Sequence, residues 1–313
     1  MAKYIITGGA GFIGSNIAQK LVTMGNIVKV IDNLSTGNLN NLAEVRDNIE
    51  FIEGDIKDLN LLKKEFKGFD YVLHQAALCS VPRSINDPIS SNTSNIDGTL
   101  NVLVAARDNS LKRVVYASSS SVYGNALSEY KSEDLPVNPL SPYALTKLTG
   151  ETYTRLFYKI YGLETICLRY FNVFGPHQDP SSQYSAVIPK FISMMIKGES
   201  PIILGDGTQS RDFTYVQNNV QANILAATAA QGAGEAINIA CGQSISLNEL
   251  VNLINQELGT NIKPVYQDER AGDIKHSKAD ISKAKKILNY EAKFDFLSGL
   301  KETIQWYKKQ IKN

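Results

Sequence analysis

At 313 residues, with 43% hydrophobic and 20% charged residues, the chain can bury one large core or two moderate ones without disulfide or metal staples. Its 32 basic and 31 acidic residues leave a formal charge of +1, and no long Lys/Arg run occurs, which removes the electrostatic case for nucleic acid or an anionic membrane. Small-molecule ligands are expected. Cys79, Cys167 and Cys241 are too dispersed for a disulfide framework or a CxxC metal site, and His74, His177 and His276 too dispersed for a metal, so none is expected. The stretch Met1 to Thr7 runs straight into a glycine loop, leaving no room for a signal peptide, and no apolar run reaches the roughly 18 residues of a membrane span; a cytoplasmic protein is the expectation.

Short apolar runs predict strands at Tyr4 to Thr7, Ile27 to Ile31, Glu50 to Glu53, Tyr71 to His74, Val114 to Ala117 and Thr165 to Arg169. Amphipathic helices are predicted between them near Phe12 to Met24, Leu59 to Phe66, Asn92 to Asp108 and Pro142 to Tyr161. This alternation implies an α/β fold with a Rossmann-type, doubly wound parallel sheet. After Phe171 the rhythm loosens around Pro176, Pro180, Pro189 and Pro201, a helix near Val187 to Lys197 and the turn Gly205-Asp206-Gly207. A helix near Gln217 to Ala230 and the run Ala236 to Ala240 form another α-β unit. The expected organisation is residues 1–175 with about 212–241 in one domain, and about 176–211 with 242–313 in a smaller C-terminal α/β domain.

Gly8, Gly11 and Gly14 follow a predicted strand and open a predicted helix, where glycine lets the backbone approach a pyrophosphate at the helix N-terminus. The spacing is G-x-x-G-x-x-G. Asp32 ends the second strand about 20 residues later, where a carboxylate accepts hydrogen bonds from ribose hydroxyls and repels a 2′-phosphate, so NAD is expected over NADP. Asp55 and Ile56, after the third strand, could reach the adenine.

Tyr143 and Lys147 stand four apart and share a helix face, downstream of the run Ser118 to Ser121 at a strand's C-terminal end, where doubly wound sheets place ligands. A nearby ammonium is expected to lower the phenol pKa from about 10, which makes it a usable base.

The stretches Thr7-Gly8-Gly9-Ala10-Gly11-Phe12-Ile13-Gly14, Ser118-Ser119-Ser120-Ser121-Val122-Tyr123-Gly124 and Tyr143-x-x-x-Lys147 resemble the extended short-chain dehydrogenase/reductase superfamily, most closely its nucleotide-sugar 4-epimerase branch. His74 to Ala77, Leu168 to Pro176, Gly205 to Phe213 and Arg270 to Asp273 extend the resemblance over nearly the whole chain. It implies that Tyr143 removes the C4 hydroxyl proton as the C4 hydride moves to NAD, that Ser119 hydrogen-bonds O4, and that Lys147 holds the nicotinamide ribose. A transient 4-keto sugar would then turn and take the hydride back on its other face. Further cofactor contacts are implied for Phe12, Ile13, Asn33, Ala76, Ala77, Asn95 and Tyr170.

For the sugar nucleotide, the resemblance implies Arg211 and Arg270 at the diphosphate, Asp273 at the ribose, and Val187, Lys190 and Phe191 around uracil. The Asp-Glu pair of related 4,6-dehydratases is absent where Ser120-Ser121 stand, and Asn172 fits neutral sugars better than uronates. Ser277, small where glucose-restricted relatives present tyrosine, leaves room for a C2 acetamido group. The stretch Ala77 to Ser84, which carries Ser80 and Arg83, together with Ser120, Asn172, Gln178 and Ala186, also resembles the branch that prefers UDP-N-acetylglucosamine and UDP-N-acetylgalactosamine, whereas Cys79 departs from it; Ser121 is a further expected substrate contact. UDP-glucose and UDP-galactose are expected as further substrates, and the alternatives are a UDP-glucose 4-epimerase proper, a UDP-glucuronate 4-epimerase or a non-catalytic NAD-binding scaffold. A homodimer formed by the helices near Asn92 to Asp108 and Pro142 to Tyr161 is implied in the same way.

Overall fold

The computed structural model describes residues 1–126, 128, 130–180, 186–269 and 275–312. The aliphatic runs form β1 (Lys3–Thr7), β2 (Ile27–Asp32), β3 (Ile49–Glu53), β4 (Tyr71–His74) and β5 (Arg113–Ser119), followed by β6 (Tyr130–Lys131) and β7 (Glu164–Tyr170). Downstream lie β8 (Val173–Phe174), β9 (Ile202–Leu204), β10 (Ser210–Arg211), β11 (Thr214–Tyr215), β12 (Glu235–Ile239), β13 (Ile245–Ser246), β14 (Val265–Gln267) and β15 (His276–Ala279). The helices are α1 (Phe12–Thr23), α2 (Leu59–Glu65), α3 (Val81–Asn86), α4 (Pro88–Asn92), α5 (Gly98–Asp108), α6 (Pro142–Tyr161), α7 (Val187–Ile196), α8 (Val216–Thr228), α9 (Leu247–Leu258), α10 (Ser282–Leu288) and α11 (Phe296–Lys312).

Seven parallel strands form the main sheet in the order β12-β7-β5-β4-β1-β2-β3. Successive strand residues face opposite sides, so neighbours belong to different cores. Ile6, Val30, Val115 and Leu168 pack with Ile17 and Leu21 of α1 and Ala226 of α8. Ile5, Ile31, Val72 and Val114 pack with Leu62 of α2, Val102 and Leu103 of α5 and Phe157 of α6. Both faces are therefore covered, as the continuous apolar runs require. The direction of the strand order reverses at the β1/β4 step, and ligands of such sheets lie in the crevice outside the strand C-termini there.

A third core, with Phe191 and Ile192 of α7, Leu250 and Ile254 of α9, and Leu300 and Ile304 of α11, stands beside the main sheet. A smaller sheet, β13-β10-β15-β6, adjoins it.

One predicted helix is divided. In place of a continuous helix near Asn92 to Asp108, α4 ends at Asn92, a π-type turn spans Thr93–Asp97, and α5 starts at Gly98. The wide turn seats the buried Asn95 amide against the Leu78 main chain, accepting from Leu78 N at 2.8 Å and donating to Leu78 O at 3.3 Å. By contrast α6 runs from Pro142 to Tyr161 as predicted. Ser141 Oγ accepts from Ala144 N at 3.1 Å, Pro142 fills the first turn, and Gly162, at φ 70°, ends the helix in the left-handed region.

Candidate active site

The glycine loop connects β1 to α1. A Cβ on Gly14 would lie 2.3 Å from the Gly8 carbonyl oxygen, and one on Gly8, whose φ is 71°, would lie 2.6 Å from the Ala76 backbone. Only glycine lets the loop pack this closely. Gly11 precedes α1 without a side-chain cap, and the first turn carries no acidic residue, so the N-terminal N–H groups contributed by Phe12, Ile13 and Gly14 remain suited to a phosphate.

Asp32 lies at the adjacent strand end, its carboxylate accepting from Ala10 N at 2.9 Å and Leu34 N at 2.8 Å. Burial raises the Asp32 pKa despite these bonds. Asn33 donates to Asp55 Oδ2 at 2.9 Å, joining the ends of β2 and β3. Burial pushes the Asp55 carboxyl up, but hydrogen bonds from Lys57 and Asn33 outweigh it and hold the group below its ordinary value. Ile56 is buried in the α2/α5 core, pressed so closely on Gly98 that a Cβ there would lie 2.5 Å away. Asn95 clamps the Leu78 loop to α6, donating to Thr146 Oγ1 at 3.1 Å, and Ala76 and Ala77 lie in the same loop. Tyr170 Oη donates to Gln75 and accepts from Asn223 at 2.7 Å.

At the C-terminal end of β5, Ser119 Oγ accepts from Ser121 N at 3.2 Å, and the Tyr143 phenol lies close enough for this serine to favour its ionised form. The Tyr143 main-chain N–H donates to Ser84 Oγ at 3.0 Å, which fixes the first turn of α6. Lys147 is buried one turn later. Its ammonium donates to Ala117 O at 2.7 Å and lies 5.9 Å from the centre of the Tyr143 ring. The expected lowering of the phenol pKa by Lys147 is not what this arrangement gives. Burial raises the Tyr143 pKa well above 10, the nearby Cys79 adds to the rise, and Ser119 only partly opposes it. Lys147 is itself pushed down by burial. Beneath the pair, His74 bonds Thr7 at 2.6 Å and Thr99 at 3.0 Å, and burial holds it neutral with a pKa of about 3.

A pocket of about 240 Å³ is lined by Asn172, two residues beyond the end of β7, and by Ala186, Val187, Ile188, Gln209, Arg211, Phe213 and Leu247, among others. Asn172, at φ 36°, donates to Asp212 O at 3.1 Å. Arg211 on β10 pairs with Ser277 on β15, the two central strands of the small sheet. Phe191 is buried in the α7 core and Lys190 is exposed, so neither lines this wall. Gln178 donates to Val173 O at 3.3 Å, and its Oε1 is buried without a partner. Ser80 caps α3, which carries Arg83; Ser120 is half-buried and Ser121 Oγ is buried without a partner. Arg270 and Asp273 lie outside the described residues.

The sequence pattern of the NAD dependent epimerase/dehydratase family matches residues 4–240. The chain belongs to this family. A UDP-N-acetylglucosamine 4-epimerase from Methanobrevibacter ruminantium M1, solved with UDP-N-acetylmuramic acid, is 45% identical with a TM-score of 0.95, over 99% of each chain. A UDP-glucose 4-epimerase from Thermotoga maritima, solved with UDP-glucose, is 36% identical with a TM-score of 0.94, again over 99% of each chain. A UDP-glucuronate 4-epimerase from Thermodesulfobacterium geofontis is 37% identical, covering 99% of this chain and 98% of its own. NAD is thus the cofactor of this epimerase/dehydratase chain, and the close-packed glycine loop fits it: any side chain at Gly8 or Gly14 would collide with backbone.

Several residues of the site escape sequence reasoning. Gln209 and Phe213 stand inside a stretch that resembles the family, but only the folded wall shows that they face the pocket. Leu247 carries no signal, and Ser84 is marked only as the last residue of the stretch Ala77 to Ser84, not as a partner of Tyr143. Each acts through contacts with segments distant in sequence: Ser84 meets the Tyr143 N–H across 59 residues. Among the described residues, no group of three His, Cys, Asp or Glu side chains could hold a metal, and no helix is long and apolar enough to cross a membrane.

Proposed function

We propose that the chain is a UDP-sugar 4-epimerase that interconverts UDP-N-acetylglucosamine and UDP-N-acetylgalactosamine and also accepts UDP-glucose and UDP-galactose. The observation that carries this reading is the meeting of Tyr143 and Ser119, one helical turn from Lys147, at the strand ends beside the glycine loop. NAD, held at the glycine loop and Asp32, would supply the hydride acceptor and donor for C4. The chain's own part is to move and hold a proton. Tyr143 Oη takes the O4 proton as the carbonyl forms and returns it after the sugar has turned, and Ser119 holds O4 in line. Lys147, whose ammonium lies 5.9 Å from the centre of the Tyr143 ring, would hold the nicotinamide ribose next to the phenol.

Substrate preference rests on the pocket wall. Ser277, small enough to admit an acetamido group, is the strand-register partner of Arg211, which lines the pocket and carries a guanidinium suited to a diphosphate. Purified protein incubated without added NAD is expected to epimerise UDP-N-acetylglucosamine and UDP-glucose but not UDP-glucuronate. Ser277→Tyr is expected to lower kcat/KM for the acetamido substrate at least about tenfold while sparing UDP-glucose, since a clash strikes only the bulkier sugar. Turnover of the uronate alone would overturn the reading of Asn172; silence on all three sugars would remove the epimerase assignment.

We also propose a homodimer. Leu145, Leu156 and Ile160 on α6 are exposed apolar residues, next to the exposed Ile85 and Ile89 on α3 and α4, and burying them against a second copy offsets their cost in water. Sedimentation at micromolar concentration is expected to give twice the mass of the 34.4 kDa chain; a monomer would refute this.

A further inference from the structure

A buried polar array runs from the catalytic end of the main sheet to the small sheet, through residues to which the chemistry above gives no part. Ser118 Oγ donates to Glu151 Oε1 at 2.5 Å. Arg169 donates to both Glu151 oxygens, at 2.9 and 2.8 Å, and to Tyr123 Oη at 2.8 Å. The Tyr123 hydroxyl donates to Asn238 Oδ1 at 2.7 Å, and Asn238 Nδ2 donates to the carbonyls of Lys131 at 2.8 Å and Asp280 at 3.2 Å. Every side chain in this series is at most 5% exposed.

The two ends give the array its meaning. Ser118 directly precedes Ser119, and Glu151 lies one helical turn beyond Lys147 on the face of α6 that meets the strands. At the far end, Lys131 closes β6, and Asp280 follows β15 and donates its N–H to Lys131 O at 2.9 Å. These strands belong to the small sheet that carries Arg211 and Ser277. Stability alone is a poor reason for such a series, because apolar residues of similar volume often replace a buried ion pair at no loss. Directional bonds do what apolar packing does not: they fix register. Misplacing reacting atoms by about 1 Å can cost on the order of 10²-fold in rate.

We propose that Glu151, Arg169, Tyr123 and Asn238 are positioning residues that hold Ser119 and Tyr143 in register with the small sheet, so that a substrate gripped by its diphosphate presents C4 to the phenol. The proposal rests on the epimerase reading for its kinetic consequence, though not for its structural one.

Ser118→Ala and Tyr123→Phe each cut the array and leave the Glu151–Arg169 pair intact. Each is expected to lower kcat about tenfold with KM, UDP affinity and bound NAD within about twofold of the parent. The double variant is expected to lose little more than the worse single one, since both cuts fall in one unit. Losses that multiply, or single variants with unchanged kcat, overturn the proposal. Amide hydrogen exchange decides the structural part without turnover: in Tyr123→Phe it is expected to rise both at residues 118–121 and at 277–280, and a rise confined to the turn around residue 123 would refute coupling. Failure of the parent protein to turn over any UDP-sugar would count against the epimerase reading, while the exchange result would still decide the array.

Discussion

Tyr143→Phe is expected to lower turnover of the UDP-sugar substrate about 10²- to 10⁴-fold while bound NAD is retained. The variant keeps the ring on α6 and removes only the hydroxyl that meets Ser119, so the loss measures proton transfer. The same phenol sets the sign of the pH dependence. Burial holds its pKa above the ordinary value, so the ionised fraction, and with it kcat for the parent protein, is expected to rise with pH from neutral into the alkaline range. Single-turnover measurements on protein purified with its own cofactor provide the check. Activity within about tenfold of the parent would remove Tyr143 from the proton transfer.

Glu151→Ala is expected to destabilise the fold by about 3–5 kcal/mol, because it strands the Arg169 charge in the interior. Both side chains of this pair are 5% exposed, and Arg169 meets the carboxylate through two hydrogen bonds. Burial works against the guanidinium charge, and Glu151 more than offsets it, holding the Arg169 pKa above its ordinary value. Glu151→Gln, which keeps volume and one acceptor, is expected to lose less. Urea unfolding of both variants checks the order, and equal midpoints for Glu151→Ala and the parent protein would remove the ion pair from any account of stability. This result is separable from the positioning role, since Ser118→Ala and Tyr123→Phe leave the pair whole.

The main sheet and its glycine loop were legible because their signals are local. Alternating apolar runs and helical periods set β1 to β5, α1 and α6 almost to the residue, and Gly8 and Gly14 mark backbone that no side chain tolerates. Tyr143 and Lys147 were legible for the same reason, being four apart on one helix. The division of the predicted helix near Asn92 was not, because its cause is the Leu78 main chain, 17 residues away from Asn95. Nor was the direction of the Tyr143 pKa. Spacing places a cation near the phenol, yet the outcome depends on how much water the surrounding elements exclude and on Lys147 turning to Ala117.

The sequence by itself therefore determined the alternation of elements, the close-packed glycine loop and the placing of Tyr143 and Lys147 on one helix face, all properties of neighbours along the chain. Tertiary structure alone decided which wall Gln209 and Leu247 line, that Ser277 stands beside Arg211, and that Ser118, Glu151, Arg169, Tyr123 and Asn238 form one array. Those contacts join segments up to 115 residues apart, and their energies depend on burial, which no residue possesses until the rest of the chain has packed around it.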